Sequence, residues 1–144
     1  MMHFDISPYQ PQDLNLLQVL FLECRKKTFT WRDTSTYRLQ QFETETEGEY
    51  ILVARHRQHI VGFISVWEAE NFIHHLYIDE KYQNQQAGTQ LLDAVIQKFG
   101  LPMRLKCEEK NEPALLFYQK KGFIPTGSGL SSEGAYIVLQ LLKN

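Results

Sequence analysis

Two stretches of the chain hold residues whose types and spacing suit chemistry. The first runs Leu76-Tyr77-Ile78-Asp79-Glu80-Lys81-Tyr82-Gln83-Asn84-Gln85-Gln86-Ala87-Gly88-Thr89-Gln90-Leu91-Leu92 and reads as a strand leading through a polar loop into an amphipathic helix. Such a junction points unpaired backbone N–H groups and the positive helix end at one spot, which suits a phosphate. No Gly-Lys-Ser/Thr follows and there is a single glycine, so neither a Walker loop nor a dinucleotide fingerprint is present. The second stretch, Asn111 to Phe123, carries Tyr118 on a helix pattern. A phenol with a pKa near ~10 stays protonated at neutral pH and can act as an acid. On periodicity alone, a helical Tyr after Phe117 is more often a core aromatic. His74 and His75 are neighbours in a strand pattern, where successive side chains face opposite sides, so the pair is not expected to chelate one ion. Cys24 and Cys107 match no metal-ligand spacing and read as reduced, buried thiols.

The elements that must position these residues alternate between helix and strand. His3 to Ser7 reads as an opening strand, and Leu14, Leu17, Val19, Leu20 and Phe21 form a helical apolar stripe. Asp13 before that stripe and Arg25, Lys26 and Lys27 at its end complement the helix dipole. A weaker helix is expected from Asp33 to Ser35 onward, carrying Tyr37, Leu39 and Phe42 inward. Tyr50 to Arg55 and Ile60 to Trp67 form a hairpin, and Phe72 to Ile78 a third strand. Leu91, Leu92, Val95, Ile96 and Phe99 line one helix face, closed by Gly100 and Pro102. Met103 to Cys107 is a strand, Asn111-Glu112-Pro113 opens a helix ending at Gly122, and Gly134 to Leu142 closes the chain as a strand. The order predicts a mixed α/β (α+β) architecture: a central mixed sheet with helices on both faces.

Composition narrows the class. The 144 residues suit one domain over 1–144, and 43% hydrophobic with 22% charged residues excludes wholesale disorder. Fifteen Lys and Arg against 17 Asp and Glu give a net charge of −2, which argues against a general nucleic-acid partner. No apolar run approaches the roughly 18 residues of a membrane span. Met1-Met2-His3-Phe4-Asp5 lacks the basic and apolar regions of a secretory signal, so a soluble, cytoplasmic protein is expected. Lys98 to Lys121 holds six basic residues and three acidic ones, a local bias that suits an anionic ligand. The acidic residues Glu43, Glu45, Glu47, Glu49, Glu68 and Glu70 read first as solvated loops and second as an attraction for a cationic amine. Thr28 to Trp31 and Trp67 are either pocket wall or core.

The two chemical stretches resemble the signatures of the GNAT N-acetyltransferase superfamily. Gln83 and Gly88 fill the ends of its Gln/Arg-x-x-Gly-x-Gly/Ala acetyl-CoA loop, while Gln86 stands where the middle glycine is usual. Asn111 to Phe123 matches every fixed position of the Asn-x-x-Ala-x-x-Phe-Tyr-x-x-x-Gly-Phe signature. The resemblance implies a GNAT fold and transfer of an acetyl group from acetyl-CoA to a primary amine of a small molecule or peptide, by direct attack in a ternary complex without a metal. It implies that the backbone of Leu76, Tyr77 and Ile78 binds the pantetheine arm and polarises the thioester. Gln83, Asn84, Gln85, Gln86, Ala87, Gly88 and Thr89 would cradle the pyrophosphate, with Asn111, Phe117 and Lys120 also on the cofactor side. Tyr118 would protonate the leaving thiolate. His74, two residues before Leu76 and so expected on its face, is the chosen base, with His75 pointing away and Glu68 or Glu108 as substitutes through water. Two alternatives stand beside this reading: an acetyl-CoA sensor of the same fold, and a transferase of another acyl group. Dimers are common among such folds, so a homodimer is also expected.

Overall fold

The computed structural model describes residues 2–143; Met1 and Asn144, and with Met1 part of the N-terminal segment read above, lie outside the described residues. The chain begins with strand β1 (Asp5–Pro8), a 3-10 turn at Pro11–Asp13, helix α1 (Leu14–Thr28) and a short helix α2 (Gln41–Thr46). Strands β2 (Tyr50–His56), β3 (His59–Trp67) and β4 (Phe72–Ile78) follow, then helix α3 (Ala87–Phe99) and strand β5 (Met103–Glu108). Helix α4 (Glu112–Lys120) and strands β6 (Ile124–Ser131) and β7 (Gly134–Leu141) complete it. The seven strands form one sheet in the order β1-β2-β3-β4-β5-β7-β6. Every neighbouring pair is antiparallel except β4–β5, which is parallel, so the expected mixed sheet is present.

Both faces of the sheet are covered, which explains why β2 and β3 read as continuous apolar runs. Leu52, Ala54, Ile64 and Val66 pack with Leu91, Leu92 and Val95 of α3. On the other face, Ile51, Val53 and Phe63 pack with Leu17, Leu20 and Phe21 of α1 and Phe42 of α2. The β2–β3 hairpin turns on Arg57 and Gln58, both at positive φ (50° and 72°), the twist a two-residue connection demands.

Two local expectations differ, at Val19 and at the start of the weaker helix, while Asp13 stands at the start of α1 as expected. Val19 is exposed rather than part of the buried stripe of α1. Asp13 makes no side-chain cap to α1; its carboxylate instead accepts both terminal nitrogens of Arg55 at 2.8 and 2.7 Å and the backbone N–H of Gln10 at 2.8 Å. That pairing holds the Asp13 carboxyl below the usual carboxylate range. The weaker helix starts only at Gln41, and Leu39 is exposed, although Phe42 is buried as expected. Upstream, Asp33 accepts from the Ser35 N–H at 2.9 Å and Arg38 donates to the Ser35 and Tyr37 carbonyls. Such local bonds offer the backbone an alternative to helix.

Candidate active site

The parallel contact between β4 and β5 is short. Only Phe72↔Arg104 and Ile73↔Leu105 are in register, after which the two strands part. Asp79 N–H donates to Val61 of β3 at 2.7 Å, so alternation along the antiparallel ladder turns the backbone groups of Leu76 and Ile78 away from β3, toward the gap. The Ile78 carbonyl is used there by Gln83 Nε2 at 2.8 Å and by the Cys24 thiol at 3.5 Å. A cleft of about 460 Å³ opens at this parting. Its walls come from β4 (Ile73 to Tyr77), β5 (Leu105 to Glu108), α4 with its cap (Asn111, Ala114, Tyr118) and the α1–α2 region (Arg25, Phe29, Arg32, Tyr37, Glu45).

Tyr118 is at once buried, 7% exposed, and part of the cleft wall, so the core and chemical readings of this residue coincide. Phe117 and Phe123 pack edge-on against its ring at 5.2 and 5.3 Å. Burial raises the pKa of its hydroxyl, which therefore holds its proton at neutral pH. Asn111 caps α4, its Oδ1 accepting from the Ala114 N–H at 3.4 Å, which sets the helix that presents Tyr118.

Beyond the cleft, the loop of Gln83 to Thr89 enters α3. Gln86 is its N-cap in the left-handed region (φ 73°, ψ 10°), and Asn84 is left-handed too. The position where glycine is usual thus takes the conformation glycine favours, and Gln86 bears that strain. No side chain caps α3 and no acidic residue sits in its first turn, so the N–H groups of Ala87, Gly88 and Thr89 are left to a ligand or water. Gly88 has no left-handed φ; a Cβ there would lie 3.5 Å from Phe117 Cζ and 3.9 Å from Ile78 Cγ1, which seats this turn against the end of β4 and against α4. Gln83 spends its side-chain amide on Ile78, so it shapes the loop. Lys120 is exposed on the last turn of α4 and is not part of the cleft wall. The basic bias of the segment is dispersed: Arg104 pairs with Glu70, and Lys98 lies over the Tyr50 ring.

The histidines depart from the expectation. The β3–β4 register shifts between Ser65↔His75 and Val66↔Ile73, leaving His74 as an extra, bulged residue. Leu76 packs toward α3, whereas His75 lies 5.0 Å from the Phe21 ring of α1. His74 is therefore not on the face of Leu76, and His75 does not point away: the two rings are 3.8 Å apart and both line the cleft. Their protonation differs sharply. Glu49 Oε2 meets His74 Nδ1 at 2.6 Å and raises the His74 pKa above its ordinary value. Burial pushes His75 down to about 3, so His75 is a neutral ring. The bulge also removes the geometric objection to a shared ion, since Glu49, His74 and His75 place potential ligand atoms within 4.8 Å of one another. The 2.6 Å contact is nevertheless shorter than the roughly 3.3 Å that separates two ligands of one tetrahedral zinc at about 2.0–2.1 Å. Glu49 and His74 form a hydrogen-bonded pair, while His75 Nε2 and Glu49 Oε1 are buried with no partner among the described residues.

Of the acidic run, Glu45 and Glu49 reach the site, while Glu43, Glu47, Glu68 and Glu70 are exposed. Phe29 is pocket wall, Trp31 donates to Glu108 at 3.2 Å, and Trp67 lies outside the cleft. Glu108 is further held by Arg32, which also binds Glu133 and, at 2.7 Å, the Tyr37 hydroxyl. Arg25 and Arg32 are the site residues that sequence reasoning missed, with no local signal to mark them, while Glu49 was named only as one of an acidic run that could attract an amine. Burial pushes the thiols of Cys24 and Cys107 up to about 12 and 11, consistent with inert cysteines.

A seven-stranded mixed sheet that parts between its two parallel strands, with a helix N-terminus at the parting and helices on both faces, is the GNAT fold. Solved structures share it: a GCN5-related N-acetyltransferase from Rhodopseudomonas palustris (TM-score 0.80, 20% identity, 99% of this chain and 97% of that one). YjaB from Escherichia coli in its apo form aligns at 0.79, 19%, 99% and 100%. The PaiA N-acetyltransferase from Thermoplasma acidophilum, in complex with coenzyme A, aligns at 0.74, 20%, 97% and 100%. The family model described as acetyltransferase (GNAT) domain matches residues 7–139, and the chain belongs to that acetyltransferase family. No curated protein matches it. Among the described residues, no helix is long and apolar enough to cross a membrane.

Proposed function

We propose that residues 1–144 form one cytoplasmic acetyltransferase domain that acetylates a primary amine of a small molecule or peptide within a ternary complex. The observation that carries this reading is the parting of β4 and β5, with Tyr118 on the wall of the gap and the uncapped first turn of α3 at its end. Acetyl-CoA, when bound, supplies an activated acetyl thioester and two kinds of phosphate. The residues fit it: free N–H groups of Ala87 to Thr89 suit the pyrophosphate, and the outward backbone of Leu76 suits the amide-rich arm. Tyr77, Ile78 and Phe117 line and support that path, Asn84 to Gln86 shape the loop, and Lys120 offers charge at its margin. No metal or covalent enzyme intermediate is needed.

In this scheme His74, oriented by Glu49, takes a proton from the amine as its nitrogen forms the C–N bond. Tyr118 gives a proton to the sulfur as the C–S bond breaks, and solvent restores both groups. The burial that makes Tyr118 a weak acid also makes a desolvated thiolate a stronger base, so the transfer remains matched. The sensor alternative rested on Gln86; its left-handed conformation preserves the loop shape and weakens that objection to turnover. A homodimer remains part of the proposal, with β6 as an open sheet edge. The test is two-fold. Acetyl-CoA at 100 times its dissociation constant should stabilise the fold by about 2.7 kcal/mol, and free thiol should appear when amines are added. Absence of any thermal shift at millimolar acetyl-CoA sinks both the transferase and the sensor; a shift without amine-dependent thiol release leaves the sensor.

A further inference from the structure

Three arginines meet the α1 side of the molecule, and they are satisfied to different degrees. Arg55 is complete: Nε donates to Ser7 Oγ at 3.2 Å and both terminal nitrogens donate to Asp13. Arg32 engages Glu108, Glu133 and Tyr37 through its two terminal nitrogens and leaves only Nε buried without a partner among the described residues. Arg25 is the most buried of them, 5% exposed, yet the least partnered. Its Nε donates to the Phe21 carbonyl at 3.2 Å, Nη1 stands 3.6 Å from Glu45 Oε2, beyond hydrogen-bond distance, and Nη2 is buried with no partner among the described residues. A buried donor left unpaired costs roughly 1–3 kcal/mol, and more when it is charged. Helix α1 does not need that cost, since Leu17, Leu20 and Phe21 already anchor it.

The surroundings of Arg25 are those of a recognition group. Its guanidinium carbon lies over the Phe21 ring at 3.9 Å and over the Tyr37 ring at 4.3 Å, cation–π contacts that restrain the group. It belongs to the wall of the same cleft as Tyr118 and His74. The Nη1–Nη2 end is a two-pronged fork, the geometry that takes a planar carboxylate through two parallel hydrogen bonds, and the group already facing it, Glu45, is a carboxylate. Glu45, 40% exposed at its side chain and only loosely held, occupies the approach and is the group an incoming carboxylate would displace. We infer that Arg25 anchors the carboxylate of the acceptor, so that the amine substrates of this protein are amino-carboxylates. Resting on the acetyltransferase reading above, the inference names the acceptor class.

The experiment compares glycine, β-alanine and 4-aminobutyrate, each with its carboxamide, for binding by calorimetry to the CoA-loaded protein and for acetylation by thiol release. Binding to the CoA complex needs no turnover, so it separates this inference from the transferase reading itself. At least one carboxylate should bind at least tenfold more tightly than its amide. That ratio should fall to about one in Arg25→Gln and partway in Arg25→Lys, with CoA affinity unchanged. In Glu45→Gln the preference for the carboxylate should persist or grow. Should Arg25→Gln fail to fold, Arg25→Lys and Glu45→Gln carry the comparison. Equal binding of acids and amides across the panel, binding of neither, or a preference that survives Arg25→Gln or Arg25→Lys undiminished overturns the inference.

Discussion

On the β4–β5 side of the cleft the available groups are main-chain N–H groups, a buried phenol and aromatic packing, whereas on the α1–α2 side they are charged side chains held by distant partners. Leu76, the first turn of α3 and Tyr118 are placed by the course of the backbone and by burial. Glu49–His74, Arg25–Glu45 and Arg32 with Glu108 and Glu133 are placed by contacts between segments 20 to 101 residues apart. Main-chain groups cannot be changed by substitution without changing the fold, so they suit an invariant co-substrate. Side-chain pairs can be exchanged one at a time, which suits the part of the site that must choose an acceptor.

The sharpest break of the comparison is Tyr118→Phe. It removes one hydroxyl from the main-chain side while keeping the ring that packs on Phe117 and Phe123. Turnover should fall about 10²–10⁴-fold, the range of a positioned acid, with melting temperature and acetyl-CoA affinity nearly unchanged. Wild-type turnover in this variant, measured by thiol release, would return Tyr118 to packing alone.

Glu49→Gln tests the other side with a smaller effect. In the proposed scheme His74 accepts the proton only when deprotonated, so the rate should rise with pH through the His74 pKa. Glu49 raises that pKa above ~6.5, with help from Glu45. Removing the Glu49 charge should therefore move the rising limb to lower pH, because less hydroxide is needed to free the base. The plateau should also drop by roughly tenfold as the base weakens and its ring loses its anchor. His75 is already neutral and should contribute nothing to this limb. A limb that stays put in Glu49→Gln assigns the base to another group.

The same division decides what could be read from the sequence. β4, α3 and α4 were legible because apolar periodicity, the Asn111 start signal and the Gly100 stop signal lie at or within the elements they bound. Tyr118 was legible because the stretch around it is contiguous. The orientation of His74 and His75 was not, since a bulge is a property of the β3–β4 pair and leaves no mark in Phe72 to Ile78 alone. Glu49 lay within an acidic run whose members look alike until α2 and Gly48 turn one of them inward. The helix expected near Asp33 failed for a related reason: that segment is tied down by Arg32, whose partners are in β5 and the β6–β7 turn.

The smallest expected effect is at Gln86, and it asks whether the main-chain side really depends on backbone alone. A non-glycine residue in the left-handed region costs roughly 1–2 kcal/mol, part of which glycine returns through its greater unfolded-state entropy. Gln86→Gly should therefore raise stability by about 0.5–1 kcal/mol in the protein without ligand, seen as a small rise in melting temperature. If the first turn of α3 binds phosphate only through Ala87, Gly88 and Thr89, acetyl-CoA affinity in this variant should match or slightly exceed that of the native chain. A loss of affinity alongside the gain in stability would mean that the Gln86 amide is itself a donor to the co-substrate, and the boundary between backbone and side-chain recognition would have to be redrawn inside the loop. A fall in stability would show that the Gln86 side chain makes contacts worth more than its strain.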